Sequence, residues 1–257
     1  MNRAVKLATN PLLLRIAIIV ALTGVLEVLC RTGIIDRFTM PPPSRIFEDL
    51  GKLLVTGKLD AAIAKTLTNC LIAFALAVAA GTVAGVLIHR SRLLREMLDP
   101  LFATYYAIPV FAFYPLFIIM FGLGDLPQIV IAFMMSVIAM IVNVLNGLDR
   151  VPPVLLKTAR MARMSPVETA LRMTLPSAAP HLLTGAKLAL AYAFIGIIGS
   201  EFIMSRGGMG FEIAFAYTNF DNAIMYPLIV LILVISVAVN ALLGVWERRI
   251  LTRRGLR

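Results

Sequence analysis

The sequence predicts an all-α protein that crosses a membrane with six helices. Three observations predict it. Hydrophobic residues make up 60% of the 257 positions and charged residues 15%, with a mean hydropathy of +0.91, and a chain of this length has no core large enough to hide that much apolar surface. A bilayer core takes about 20 apolar residues as a helix, and six runs qualify, at roughly 12–29, 67–88, 101–121, 128–148, 182–203 and 224–245. Basic residues then gather in alternate connections, the asymmetry that orients membrane helices.

Each element has its own signal. Arg3 and Lys6 precede the first span, and Arg15 and Glu27 lie near its two ends, where long side chains reach for the interface. The segment 31–65 holds "MPPPSRIFEDLGKLLVTG", in which prolines precede Ser44 as a helix cap. Ile46, Phe47, Leu50, Leu53 and Leu54 share one helical face, as in a helix lying at a membrane surface. Ala77, Gly81 and Gly85 in the second span are spaced for close helix packing. Arg90, Arg92 and Arg95 separate the second and third spans. Within the third, Pro109 and Pro115 in "AIPVFAFYP" predict a kinked helix with freed carbonyls, the kind that lines a route. Its aromatic residues Tyr105, Tyr106, Phe111, Phe113 and Tyr114 are pathway candidates, together with Asn143 and Asn146 of the fourth span and Glu201 of the fifth. The asparagines equally suit helix–helix hydrogen bonds, and Lys187 is expected to snorkel. Residues 205–221, with Gly207, Gly208 and Gly210, are too polar to span and form an outer loop or a re-entrant segment. Arg248, Arg249, Arg253, Arg254 and Arg257 follow the sixth span. The basic connections place both termini and residues 150–180 in the cytoplasm. The six basic residues of 31–65, on the opposite side, dissent.

The stretch "TARMARMSPVETALRMTLPSAAP", 158–180, does not belong in lipid. Ser165, Pro166 and Glu168 form a capping box that starts a helix. "VLLKTARMAR" before it is helix-prone, and Pro176 and Pro180 are expected to end the second helix before the fifth span. Short helices that carry Met161, Met164, Leu171 and Met173 outside a core dock on something.

This insert resembles the EAA loop of inner-membrane permease subunits of ABC importers, which reads Glu-Ala-Ala, three residues, Gly, nine residues, Ile-x-Leu-Pro. Ala159 matches the second Ala, and Met173, Leu175 and Pro176 match the end. Lys157, Thr158 and Arg163 stand where the loop has Glu, Ala and Gly. "AIPVFAFYPLFIIMFGLG", "VNVLNGLDRVPPVLLKTAR", "LTGAKLALAYAFIGIIGSEFIMSRGGMGF" and "MPPPSRIFEDL" are similar to the branch that imports nitrate, sulfonates and taurine. The resemblance implies the type I ABC importer permease fold as a single domain, 1–257, in the bacterial inner membrane, with a periplasmic segment at 31–65 and cytoplasmic coupling helices at 150–180. It implies a homodimer, two ATPase subunits that hold ATP and Mg, and a periplasmic substrate-binding protein. It also implies ATPase coupling through Ala159, Arg160, Arg163, Met164, Ser165, Pro166, Glu168, Leu175 and Pro176.

Other classes lack their residues. No G-x-x-x-x-G-K-[ST] loop exists, so the chain is expected to hydrolyse no ATP itself. His89 and His181 are the only histidines, and Cys30 and Cys70 are isolated, so neither a metal site nor a cofactor is expected. The basic residues are spread over membrane-flanking loops, which excludes a nucleic-acid groove. A stand-alone secondary carrier would need inverted repeats or paired intramembrane charges. A membrane scaffold would explain docking helices but not polar-lined spans. The expected cargo is a small organic anion (a sulfonate such as taurine, a carboxylate or a nitrate-like ion), with a neutral vitamin precursor, pyrimidine or flavin, as the alternative.

Overall fold

The computed structural model describes residues 11–36 and 38–253. The flanking Arg3, Lys6, Arg254 and Arg257, and Arg37, lie outside the described residues. Those described fold as helices and turns, with no strand among them. In chain order they are α1 (Pro11–Arg31), α2 (Pro43–Val55), α3 (Asp60–Arg90), α4 (Arg92–Tyr105), a 3-10 turn (Val110–Phe113), α5 (Tyr114–Phe121), α6 (Asp125–Asp149), α7 (Pro153–Met161), α8 (Pro166–Thr169), a π-turn (Ala170–Thr174), α9 (Leu175–Met204), α10 (Met209–Thr218) and α11 (Asn222–Arg253). Five helical stretches are long and apolar enough to cross a membrane, and counting the bent pair of α4 with Val110–Phe121 as one span gives six. The chain divides into two compact units, Met1–Asp60 with Glu212–Leu231 and Ala61–Phe211 with Ile232–Arg257.

In the first unit, α1 fixes the surface helix α2. Glu27 accepts hydrogen bonds from the Ser44 backbone N–H at 2.9 Å and the Ser44 hydroxyl at 2.7 Å, and Arg31 Nε donates to it at 2.6 Å. Ser44 therefore is not the cap expected from sequence. Pro42 stands at the cap position without a side-chain bond, and a carboxylate from another helix satisfies a first-turn donor instead. Lys52 Nζ, 2.6 Å from Glu48, holds that exposed carboxyl below its ordinary pKa. Further on, Tyr226 donates to the Thr39 carbonyl at 2.7 Å, Asn222 donates to that of Phe38, and the Phe38 ring stacks on Phe220.

In the second unit, small residues let backbones touch. Gly147 lies against Ala178 and His181, Gly185 against Asn143, and Gly196 against Ala132, which joins α6 and α9 antiparallel. A Cβ on Gly81 would stand 2.7 Å from Met140 Cβ, and one on Gly85 2.7 Å from Val144 Cβ, so α3 meets α6 equally closely. Met140, Val144, Leu148, Ala178 and Ala189 fill the resulting core.

Two sequence expectations are corrected. The third span, expected as one helix over 101–121, is broken. α4 begins nine residues earlier, at Arg92, capped by Ser91, and the chain turns by 94° before Val110–Phe121. Pro109 is the cause, because it donates no N–H and drives Ile108 away from helical torsions. Pro115 causes no kink, since it lies in the first turn of α5, where its missing N–H is harmless. Nor do Pro176 and Pro180 end a helix. The path from Pro166 runs through the π-turn into α9, with the Leu175 N–H reaching the Ala170 carbonyl five residues back. That wider turn absorbs the proline ring.

Replacing Gly85 with leucine is expected to destabilise the detergent-purified chain by about 1–3 kcal/mol, read as a lowered melting temperature. Gly24→Leu, where nothing lies within 4 Å, is expected to change little. Equal losses at the two sites would contradict the close α3–α6 contact.

Candidate functional site

The insert is shaped by its two helix ends. α7 closes with Arg163 N–H bonded to the Arg160 carbonyl and Met164 N–H to that of Ala159, both at 3.0 Å. This pattern requires a left-handed residue after the helix, usually glycine. Arg163 occupies it at φ 52°, at a cost of about 1–2 kcal/mol for a residue with a Cβ. Two residues on, the capping box forms. The Glu168 N–H donates to Ser165 Oγ at 3.2 Å and the Ser165 N–H to Glu168 Oε2 at 3.0 Å, with Pro166 in the first turn. The four-residue joint, 162–165, is thus locked from both sides.

The coupling candidates divide by exposure. Ala159 is buried, whereas Met164, Leu175 and Pro176 are half-buried. Arg160, Arg163, Ser165, Pro166 and Glu168 face outward. Met161 at 86% exposed, Val167 at 64% and Leu171 at 62% form the apolar part of the same surface. Val167 was missed from sequence, because it sits inside the capping motif and adds nothing to a helical period.

The pathway candidates also divide. Tyr106 is half exposed and stacks on Tyr192 with centroids 5.3 Å apart, while Tyr105 meets it edge-on and donates to the Met134 carbonyl at 2.9 Å. Phe111 packs where Gly199 leaves no room for a Cβ, Tyr114 is buried with Val110 and Ile131, and Phe113 is exposed beside Phe117. Pro109 is the exposed corner of the break. Asn143 donates to the Ala139 carbonyl at 2.8 Å within its own helix. Asn146 instead lines an open groove of about 410 Å³ with Arg95, Asp99, Phe102, Tyr106 and Val142. Arg95 is ion-paired to Asp99 at 2.8 Å and Asp149 at 3.0 Å, and His89 stands 3.2 Å from Asp149. Sequence reasoning assigned Arg95 to a loop because it began the third span at 101, and it did not single out Tyr192.

Glu201 is fully buried. Its oxygens lie 2.8 and 2.9 Å from Thr66 Oγ1 and accept the Gly210 N–H at 3.0 Å, while Thr66 Oγ1 accepts the Met209 N–H at 2.8 Å. Gly208, at φ 105°, is required twice, for its left-handed backbone and because the carboxylate leaves no space for a Cβ. Gln128 Nε2 bonds Ser205 Oγ at 2.9 Å, and Lys65 pairs with Asp125 at 2.9 Å. The carboxylate therefore clamps the 205–210 turn between α3 and α9. Among the described residues, no group of three His, Cys, Asp or Glu could hold a metal ion.

Arg163→Gly is expected to stabilise the chain by about 1 kcal/mol, read by thermal unfolding, and Arg163→Ile to destabilise it. Identical melting for the two would contradict the left-handed joint. Glu201→Ala orphans the Gly210 N–H, at about 1–3 kcal/mol. A cysteine placed at Gly207 is then expected to react with a thiol reagent about tenfold faster than in a chain that keeps Glu201, and unchanged labelling would contradict the clamp.

The model of the family described as binding-protein-dependent transport system inner membrane component matches residues 77–252. A nitrate import permease protein of Leptolyngbya laminosa is 27% identical over 73% of this chain and 67% of its own length. The taurine transport system permease protein of Escherichia coli is 26% identical over 84% and 81%. A putative aliphatic sulfonates transport permease protein of Bacillus subtilis is 25% identical over 93% and 85%. An inward-facing structure of the MetNI methionine ABC transporter superposes with a TM-score of 0.67 at 18% identity, covering 76% of this chain and 97% of that one.

Proposed function

Because the chain belongs to the family of binding-protein-dependent transport system inner membrane components, we propose that it imports a small organic anion as one half of a permease homodimer. It is a multi-pass membrane permease subunit of an ABC importer, and not an enzyme. ATP and Mg bind two separate ATPase subunits, and a periplasmic protein delivers the cargo. Both termini and the insert face the cytoplasm.

The exposure of Met161, Val167 and Leu171, together with that of Arg160, Arg163 and Arg172 in the same insert, carries the coupling reading. Exposed apolar side chains and exposed guanidinium groups on one short insert suit a groove on a soluble partner with acidic edges. The joint gives the surface a fixed shape, so a partner that closes on ATP moves the insert as a body. A ligand biases only states it binds differently. The loaded binding protein accordingly favours the state on which the ATPases close.

Nitrate, taurine and sulfonate permeases among the relatives support an anion as cargo. The groove with Arg95, Tyr106 and Asn146 supports passage of one. Arg95 is already compensated by two carboxylates, so an anion is held weakly there and leaves, as transport requires.

In a Cys-free background, Leu123→Cys is expected to react with an impermeant thiol reagent from outside, and Glu168→Cys only after the membrane is opened. The reverse pattern would overturn the orientation. The double variant M161D/L171D is expected to insert normally yet lose the co-purifying ATPase and ATP-driven uptake of a labelled sulfonate. Wild-type uptake in that variant would overturn the coupling role. Uptake of a neutral pyrimidine in place of any sulfonate or carboxylate would overturn the cargo class alone.

A further inference from the structure

α11 carries a feature that transport does not use. Along one side of the helix, Val234, Val237 and Val245 are exposed at 53%, 68% and 51%. Their spacing, with Ala241 between them, keeps to one helical face. The same face continues into Arg248, Arg249 and Thr252, which with Val245 line a shallow open groove of about 360 Å³. An apolar stripe thus ends in two adjacent guanidinium groups.

The local charge is not internally balanced. The sole carboxylate of this turn, Glu247, is paired with Lys187 of α9 at 2.5 Å. Among the described residues, neither Arg248 nor Arg249 has an ion-pair partner. The sequence beyond adds Arg253, Arg254 and Arg257 and no acid. α11 has 32 residues and is ~48 Å long, against about 30 Å of hydrocarbon. The arginine turn therefore falls where phosphate headgroups lie.

We propose that this face is a binding site for an anionic phospholipid. An acyl chain lies along Val234, Val237 and Val245, and the phosphodiester sits on Arg248 and Arg249, while the Thr252 hydroxyl, which donates to the Arg248 carbonyl at 2.7 Å, lines the groove without donating to the headgroup. Guanidinium groups bind phosphate oxygens in pairs, and basic clusters at the end of a span attract anionic headgroups. The continuous stripe favours a lipid over a free anion, which would use only the arginines. It also favours a lipid over a protein partner, which would require that stripe to be shielded from the bilayer.

The test uses the full chain purified in detergent, with native mass spectrometry after addition of phosphatidylglycerol or phosphatidylcholine. The wild type is expected to retain phosphatidylglycerol preferentially. R248Q/R249Q is expected to lose that preference, by on the order of fivefold for each arginine. R92Q, an exposed arginine elsewhere, is expected to retain it. Equal retention of the two lipids by the wild type, or unchanged retention by R248Q/R249Q, would overturn the proposal. Complete displacement of the lipid by millimolar inorganic phosphate would reassign the site to a free anion. Loss of the dimer or of the ATPase in R248Q/R249Q, with lipid retention intact, would reassign it to a protein contact.

Discussion

Hydrocarbon offers a peptide group no hydrogen bond, and every departure from a straight helix in this chain has to be compensated inside the protein. The break after α4 is compensated locally, with Ala107 and Ile108 bonding back to Thr104 and Tyr105. The glycine turn at 205–210 needs more. Two of its N–H groups find acceptors only because Glu201 and Thr66 are brought to them. A buried carboxylate is tolerated for the same reason, as its neighbours supply the donors that water would have supplied.

Close backbone approach is the second consequence. Apolar side chains gain nothing by leaving lipid for one another, so helix contact depends on dispersion and fit. The glycines of α3, α6 and α9 answer this by removing side chains where helices cross. The antiparallel α6–α9 pair then becomes the frame to which the broken span and the turn at 205–210 are attached. Gly199 shows the link, since its missing Cβ is the space the Phe111 ring occupies.

The crossings were legible because a helix that spans lipid must be apolar for about 20 residues, and no other signal competes with that. The capping box was legible because its three residues are adjacent and each has one job. What stayed hidden depends on distance along the chain. Thr66 and Glu201 are 135 residues apart, and nothing local in either hints at the other. The break at Pro109 was seen as a kink because the residues on both sides remain apolar. Once its start was misplaced, Arg95 fell into a loop and the groove it edges disappeared with it. Ser44 failed in a different way. Its local sequence allows a cap, but Glu27 on a preceding helix supplies a stronger, charged acceptor.

The uninterrupted path from the insert into the fifth crossing has a mechanical meaning. Pro166–Ile203 is one helical rod of 38 residues, ~57 Å long. Its first turns carry the exposed Val167 and Leu171, and its last turns carry Glu201. Pivoted at one end, such a lever moves its tip by about 1 Å per degree of tilt. Hydrogen bonds of 2.8–3.0 Å to Glu201 break with displacements of that size. A rotation of a few degrees at the insert is therefore enough to strain or release the clamp at the far side of the bilayer, with no intermediate part to relay it.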